Sequence, residues 1–162
     1  VLDGSNLTTT GVINSGTAVA STSGTSIDFT GIPAGVKRIT IMFNGVSTNG
    51  TSLKLCQLGA GSVTTTGYSN LTYNTTGAYN STTAGFSLYV ASASDVMGGQ
   101  IVFALIGSNI WTASGIVGNG LGTQMAITAG SVTLGGTLDR VRITTVGGTD
   151  TFDAGSINIL YE

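Results

Sequence analysis

Three of the five tyrosines in this chain stand close together in the stretch GYSNLTYNTTGAYNSTTAG, residues 67–85. Tyr68, Tyr73 and Tyr79 lie there among short amide and hydroxyl side chains, including Asn70 and Asn74. A tyrosine presents an apolar ring with a polar tip, and such rings beside small polar groups are typical of saccharide-binding and antibody-like surfaces. These five residues are therefore predicted to bind a ligand. The alternative is a glycine-relieved loop or a strand edge whose rings only cover the fold.

Acid–base chemistry would have to come from carboxylates, because the chain contains no histidine. This excludes Ser/His/Asp and Cys/His nucleophilic sites and the usual zinc ligands. Five aspartates could supply the paired carboxyls of a glycosidase, but their spacing selects no pair: Asp28, Asp95, Asp139, Asp150 and Asp153. We therefore predict no enzymatic activity and no cofactor.

The segment DTFD, residues 150–153, is the one candidate for a metal ion. Two carboxylates and nearby backbone carbonyls are suitable calcium ligands, but the segment lacks the dense acidic ladder of a dedicated calcium loop. A turn, or an ion pair with Arg140 or Arg142, is the alternative. No metal site is predicted.

No segment keeps the apolar spacing of three and four residues that an amphipathic helix needs. Alternating apolar residues, typical of strands, recur instead in SIDFT, KRITIMF, SLKLCQL, GFSLYV, RVRITTV and SINILY. The apolar runs 101–106 and 110–117 predict strands covered on both faces, and 125–134 predicts one more. Glycine turns separate these segments, so the expected fold is all-β, an antiparallel β-sandwich with a jelly-roll-like order. Trp111 and the single Cys56 are predicted to lie in its core.

Residues 1–17 differ from the rest of the chain, since NLTTTGVINSG is polar and offers only Val12 and Ile13 for burial. We expect this segment to be the extended end of a fibre shaft, or a linker, in which three copies bury their sparse apolar residues together. The β-sandwich is expected to span residues 18–162 as one domain. Because the sequence begins at Val1 rather than methionine, it is expected to be the end of a longer chain.

Charged residues make up only 7% of the chain, against about a quarter in ordinary soluble domains. The net charge is −2, and the basic residues stand singly or in pairs, which argues against nucleic-acid binding. No apolar run approaches the roughly 18 residues of a membrane-spanning helix. The surface is therefore expected to owe its polarity to Ser, Thr and Asn.

Two segments at opposite ends of the domain resemble a module at the C-terminal end of bacteriophage virion proteins, especially tail fibre-like proteins. They are TSIDFTGIPAGVKRITIMFNGVSTNGTS (25–52) and LDRVRITTVGGTDTFDAGSINILYE (138–162). The stretch NLTTTGVINSGT is similar to the end of a tail-fibre shaft. The Gly- and Thr-rich middle looks like the variable part of such a module.

The resemblance implies a structural protein of the virion, without a catalytic motif, that attaches to the host. In a tail fibre it would be the receptor-binding tip, a parallel homotrimer that contacts other virion proteins and recognises host-surface saccharide. The same kind of module could decorate a capsid or tip a head fibre. A polysaccharide depolymerase is the third interpretation.

Half of the charged residues lie in the last 25 residues: Asp139, Arg140, Arg142, Asp150, Asp153 and Glu162. Because strand side chains alternate, Arg140 and Arg142 should lie on one face while Val141 and Ile143 enter the core. In the trimer that the resemblance implies, the arginines could pair with Asp139, Asp150 or Asp153 of a neighbour. Arg140, Arg142, Asp150 and Asp153 are therefore predicted at a subunit interface, with salt bridges inside one chain as the alternative.

Overall fold

The computed structural model describes residues 12–88, 92–120 and 123–162, and this part of the chain contains β-strands and no helix. The strands are β1 (Asn14–Ser15), β2 (Val19–Ala20), β3 (Ile27–Thr30), β4 (Arg38–Thr48), β5 (Lys54–Ala60), β6 (Ser62–Val63), β7 (Ser69–Asn74), β8 (Tyr79–Asn80), β9 (Phe86–Leu88), β10 (Met97–Gly107), β11 (Ile110–Asn119), β12 (Met125–Thr133), β13 (Arg140–Thr145) and β14 (Phe152–Tyr161). Across these ranges, no helical segment has the length and apolar character needed to cross a membrane.

The strands form two antiparallel sheets that pack face to face. The larger has the order β1-β14-β4-β10-β11-β12-β7-β8, with β2 also paired to β14. The smaller has the order β3-β13-β5-β6, with β9 also paired to β5. Consecutive strands β10, β11 and β12 are neighbours, whereas long connections bring β14 beside β4 and β7 beside β12. The predicted β-sandwich is confirmed.

The core lies between the sheets and is built by the alternation that the sequence predicts. Inward residues on both sheets are almost fully buried: Ile39, Ile41, Phe43, Ile101, Phe103, Val141, Ile143, Ile157 and Ile159. Phe86 connects the two aromatic contacts of the core, with Tyr68 edge-on at 5.0 Å and Phe103 at 5.4 Å between ring centroids. The predicted burial of Trp111 and Cys56 is confirmed.

The N-terminal strands pair with the C-terminal strand. β1 pairs with β14 through Asn14 opposite Tyr161, and β2 pairs with the same strand through Val19 opposite Ile157. The segment on either side of residue 17 is thus hydrogen-bonded to one edge of the larger sheet. Residues 1–11 of the predicted shaft lie outside the described residues, and the shaft itself stays a prediction.

The central strand of the smaller sheet, β5, is buried along almost its whole length and includes a lysine, Lys54, with no exposed surface. Burial lowers the pKa of Lys54, and the negative charges of Asp95, Asp150 and Asp153 act in the opposite direction. Removing a charged amine from water is unfavourable unless opposite charges lie close by. Three of the seven acidic residues therefore favour the charged form of the buried Lys54 amine.

The two apolar runs predicted to be covered on both faces are covered on one face only, so that prediction is wrong for the isolated chain. In β11, Trp111 and Val117 point into the core, whereas Ile116 is 54% exposed. In β10, Ile101 and Phe103 are buried, whereas Ile106 is 70% exposed. The outer face of the larger sheet thus carries large apolar side chains that no other part of the described chain covers.

The Cys56 thiol gives the fold a pH dependence that can be measured. Burial raises the pKa of Cys56, so at alkaline pH the unfolded chain releases a proton that the folded chain keeps. The stabilisation of the folded state by the protonated thiol is fully present below the unfolded pKa of about 8.5. Above that pH, the free energy of unfolding falls by about 1.4 kcal/mol per pH unit. We expect the free energy of unfolding in urea to fall more steeply with pH for the wild type than for Cys56→Ala. Parallel pH profiles of the two proteins would contradict this account.

Candidate functional site

Strand β7 carries the middle of the tyrosine-rich stretch at the end of the larger sheet, between β12 and β8. Its side chains alternate strictly: Ser69, Leu71 and Tyr73 are exposed, while Asn70 and Asn74 are buried. Successive side chains of a strand point to opposite faces. The predicted ligand-binding residues that lie on this strand are therefore divided between its two faces, with Tyr73 on one and Asn70 and Asn74 on the other.

Tyr73 and Tyr79 are the predicted residues that the structure brings together at the surface. They are directly opposite each other in the β7–β8 pairing, and they are 51% and 75% exposed. Residues opposite each other in an antiparallel pair have Cβ atoms roughly 5 Å apart on the same face. The two rings thus form a cross-strand pair that faces solvent.

The tyrosine pair continues a row of apolar side chains across the sheet. Tyr73 lies opposite Ile127 of β12, and Ile127 lies opposite Ile116 of β11. With strands about 4.8 Å apart, the row from Ile116 to Tyr79 spans roughly 14 Å. The exposed isoleucines were not predicted to belong to this surface, because their place depends on the register of three neighbouring strand pairs, one of which joins distant segments.

Tyr68 is buried rather than exposed at the surface, and its binding of a ligand stays a prediction. Its side chain is 3% exposed, and its hydroxyl oxygen accepts a hydrogen bond from the Leu58 backbone N–H at 2.8 Å. The hydroxyl donates to the carbonyl oxygen of Thr64 at 2.9 Å. Burial raises the pKa of the Tyr68 phenol. Tyr68 therefore fastens the end of β5 to the segment before β7.

Asn70 belongs to a buried hydrogen-bond network, and its binding of a ligand also stays a prediction. Its Nδ2 donates to Thr128 Oγ1 at 3.0 Å, and its Oδ1 accepts from Ser87 Oγ at 2.9 Å. The Thr72 hydroxyl donates to the Ser87 carbonyl oxygen at 2.6 Å. Buried polar groups are stable only when they are paired. The network joins β7 and β12 of the larger sheet to β9 of the smaller sheet.

Asn74 is 1% exposed and organises the turn between β7 and β8. Its Oδ1 accepts hydrogen bonds from Thr76 N at 3.2 Å, Thr76 Oγ1 at 2.8 Å and Ala78 N at 3.0 Å. An asparagine that bonds the backbone two and four residues ahead is a standard turn-forming element. Asn74 thus fixes the hairpin that presents Tyr73 and Tyr79, and its direct contact with a ligand stays a prediction.

A cleft of about 540 Å³ lies in the same stretch, at the end of β7 where Ser69 begins the strand. Hydroxyl and amide side chains dominate its lining: Tyr68, Ser69, Asn70, Ser81, Thr82 and Thr83. The Tyr68 N–H donates to the Thr83 carbonyl oxygen at 3.1 Å, which holds the two walls together. Ser69 and Tyr73 are four residues apart on the exposed face of β7, a distance of roughly 13 Å. The structure thus adds the hydroxyls of Ser81, Thr82 and Thr83 to the site.

The predicted interface residues are not brought together. Arg142 makes a two-fold ion pair with Asp28, at 2.7 Å from Nε to Oδ1 and 3.1 Å from Nη2 to Oδ2. Arg140 makes the same kind of pair with Asp139, at 2.8 and 3.2 Å. The Arg140 guanidinium lowers the pKa of Asp139. Both arginines are thus neutralised inside the chain, on the outer face of the smaller sheet, and their role at a subunit interface stays a prediction.

The other two residues of that prediction lie elsewhere. Asp150 accepts a hydrogen bond from the Ser52 backbone N–H at 2.8 Å, and Asp153 is exposed in β14 of the larger sheet. The negative charges of both oppose the lowering of the Lys54 pKa that burial causes. In the described ranges no three His, Cys, Asp or Glu side chains meet in a cluster that could hold a metal ion.

Two substitutions separate the buried tyrosine from the exposed one. Tyr68→Phe leaves the buried Leu58 N–H without its acceptor, so we expect the free energy of unfolding to fall by about 1–3 kcal/mol. Tyr73→Phe removes a hydroxyl from an exposed ring, and we expect a change within about 0.5 kcal/mol. Urea denaturation of both variants gives the comparison. Equal stability of the two variants would contradict the structural role assigned to Tyr68.

The β7–β8 corner thus presents a tyrosine pair, an apolar row and a hydroxyl-lined cleft on one edge of the sandwich. No protein-family model, no curated protein and no solved structure matches this chain. What the corner can bind is therefore inferred from its own side chains.

Proposed function

We propose that this domain is a non-enzymatic, receptor-binding module of a phage virion, which recognises host-surface saccharide at the β7–β8 corner. The observation that carries the proposal is the cross-strand pair of exposed tyrosines, Tyr73 and Tyr79, with a cleft of hydroxyl groups at the start of β7. The resemblance of residues 25–52 and 138–162 to virion modules supports the biological setting. The tail fibre tip is the proposed location.

The chemistry of the corner suits a sugar. A pyranose ring has apolar C–H faces and a rim of hydroxyls, so it can stack on a tyrosine ring while its rim exchanges hydrogen bonds. Tyrosine provides large contact area at low conformational entropy cost. The serine and threonine hydroxyls of the cleft both donate and accept hydrogen bonds. A chain of several sugar units could contact both the tyrosine pair and the cleft, which lie roughly 13 Å apart along β7.

The composition of the corner also indicates which saccharides it selects. Residues 67–85 contain no charged side chain. Recognition of carboxylate or phosphate usually relies on arginine or lysine. We therefore propose a neutral saccharide as the ligand, bound weakly at each site and strengthened by several copies on one particle.

The proposal is tested by binding the 162-residue chain to an array of bacterial capsular polysaccharides and lipopolysaccharide O-chains, both neutral and acidic. Truncating an aromatic residue at the centre of a binding site typically costs more than about 1 kcal/mol. Tyr73→Ala and Tyr79→Ala should therefore each raise the dissociation constant of the best-bound neutral glycan at least about fivefold. Ile106→Ala, which removes an exposed apolar side chain at the far end of the β10–β11 hairpin, should leave it unchanged.

Two results would count against the proposal. One is the absence of binding to every glycan on the array, measured with the chain displayed in many copies. The other is glycan binding that neither tyrosine substitution weakens. Preference for acidic over neutral glycans would reject the neutral ligand while leaving saccharide binding in place.

A further inference from the structure

The outer face of the larger sheet carries exposed aliphatic side chains next to the tyrosine pair. Ile116, Ile127, Leu71 and Met125 are each more than half exposed. Ile116 and Ile127 lie directly opposite each other on β11 and β12, at the centre of this group. We call these four residues the aliphatic patch.

The sequence of β11 gives the first reason to expect that the aliphatic patch is covered. Strand β11 places Trp111, Ala113 and Val117 in the core, and Ile116 on the outer face. Strands with apolar residues on both faces are typical of sheets buried on both sides. Within the described residues only the inner face of β11 is covered. Ile116 would become buried if another molecule covered the outer face.

The shape of the surface gives the second reason. A shallow trough of about 380 Å³ lies beside the isoleucine pair. Its lining includes the small residues Ser114, Gly115 and Ala129 and the larger aliphatic residues Val102, Ile116 and Ile127. Two sheets that pack about 10 Å apart interdigitate large side chains of one with gaps of the other. The trough and the isoleucines form such an arrangement of gaps and large side chains.

Area and charge identify the occupant. Without the tyrosine pair, the aliphatic patch and its apolar neighbours Val102 and Ala129 expose on the order of 400–500 Å² of surface, within the range of the largest patches that monomers leave exposed. With the uncharged Gln100 and Ser114 beside them, the face offers more than half of the roughly 800 Å² that each partner buries in a stable complex. Every residue that lines the trough is uncharged. A second copy of this face therefore meets it without like-charge repulsion.

We infer that another copy of this chain covers the aliphatic patch, so that the part of the larger sheet's outer face around Ile116 and Ile127 is the subunit interface. Aliphatic side chains offer neither a flat ring for a sugar to stack on nor a hydrogen bond, which separates this surface from the tyrosine pair at its edge. The interface thus lies on the opposite side of the sandwich from Arg140 and Arg142. It does not depend on the proposed saccharide site.

The test is the native mass of the 162-residue chain, measured by sedimentation velocity over a roughly hundredfold range of concentration. We expect the wild type to form a species of a whole-number multiple of 16.2 kDa, and the mass gives the number of copies. The double variant Ile116→Thr/Ile127→Thr keeps β-branched side chains suited to strands. Its dissociation constant should rise at least about tenfold, because each lost methyl or methylene group removes about 0.8 kcal/mol of burial.

Ile106→Thr is the matched control, since Ile106 is exposed on the same sheet but lies outside the aliphatic patch. It should assemble like the wild type. A wild-type chain that remains monomeric over the whole range overturns the inference and points to a different occupant of the face. Assembly that the double variant leaves unchanged overturns it as well. Because both isoleucines are exposed in the single chain, circular dichroism should be nearly the same for all three proteins, and so should urea unfolding at a concentration at which all three are monomeric.

Discussion

The buried hydrogen bonds among Asn70, Thr72, Ser87 and Thr128 determine which side of β7 meets solvent. Each member is held by at least one partner at 2.6–3.0 Å, and β9, which carries Ser87, pairs with the smaller sheet. The network therefore fixes β7 relative to both sheets. A slip of one residue would place amide and hydroxyl groups in water and bury Tyr73 among them. The orientation of the tyrosine pair and the position of the cleft both depend on this network.

The absence of a side chain at Gly130 allows that network to form. Gly130 lies opposite Asn70 in the β12–β7 pairing, and a Cβ atom there would collide with the Ser69 carbonyl oxygen and the Asn70 backbone. Glycine weakens a strand interior unless close approach of another backbone requires it. Here the close approach brings Asn70 within hydrogen-bond distance of Thr128. The conformation of β7 thus depends on its neighbour as well as on its own sequence.

The sequence predicts the fold better than the site, and the difference has a physical cause. Alternation in KRITIMF, RVRITTV and SINILY predicts both the strand and its buried face, because the large apolar side chains are stable on the face that packs into the core. In SNLTYN every residue but Leu71 is polar or amphipathic, so hydropathy does not show which set is buried. The spacing of these residues did contain the answer. Tyr68, Asn70 and Asn74 are an even number of residues apart and should share one face of a strand, whereas Tyr73 should lie on the other. The exposed Ile116 and the partners of Asn70 depend on pairings between distant segments, which no local pattern specifies.

The paired arginines Arg140 and Arg142 and the aliphatic patch lie on different sheets, and this separation bears on how the molecule meets its partners. Arg140 and Arg142 are paired with carboxylates on the outer face of the smaller sheet, and exposed ion pairs of this kind contribute little to stability or association. The residues that line the trough on the outer face of the larger sheet are uncharged. Association through that face would bring the β7–β8 corners of the copies to its edges, where Tyr79 is the most exposed large hydrophobic side chain of the described residues. Copies held in one assembly then present their corners at fixed separations, and weak binding at each corner gains strength from simultaneous contact with one glycan-covered surface.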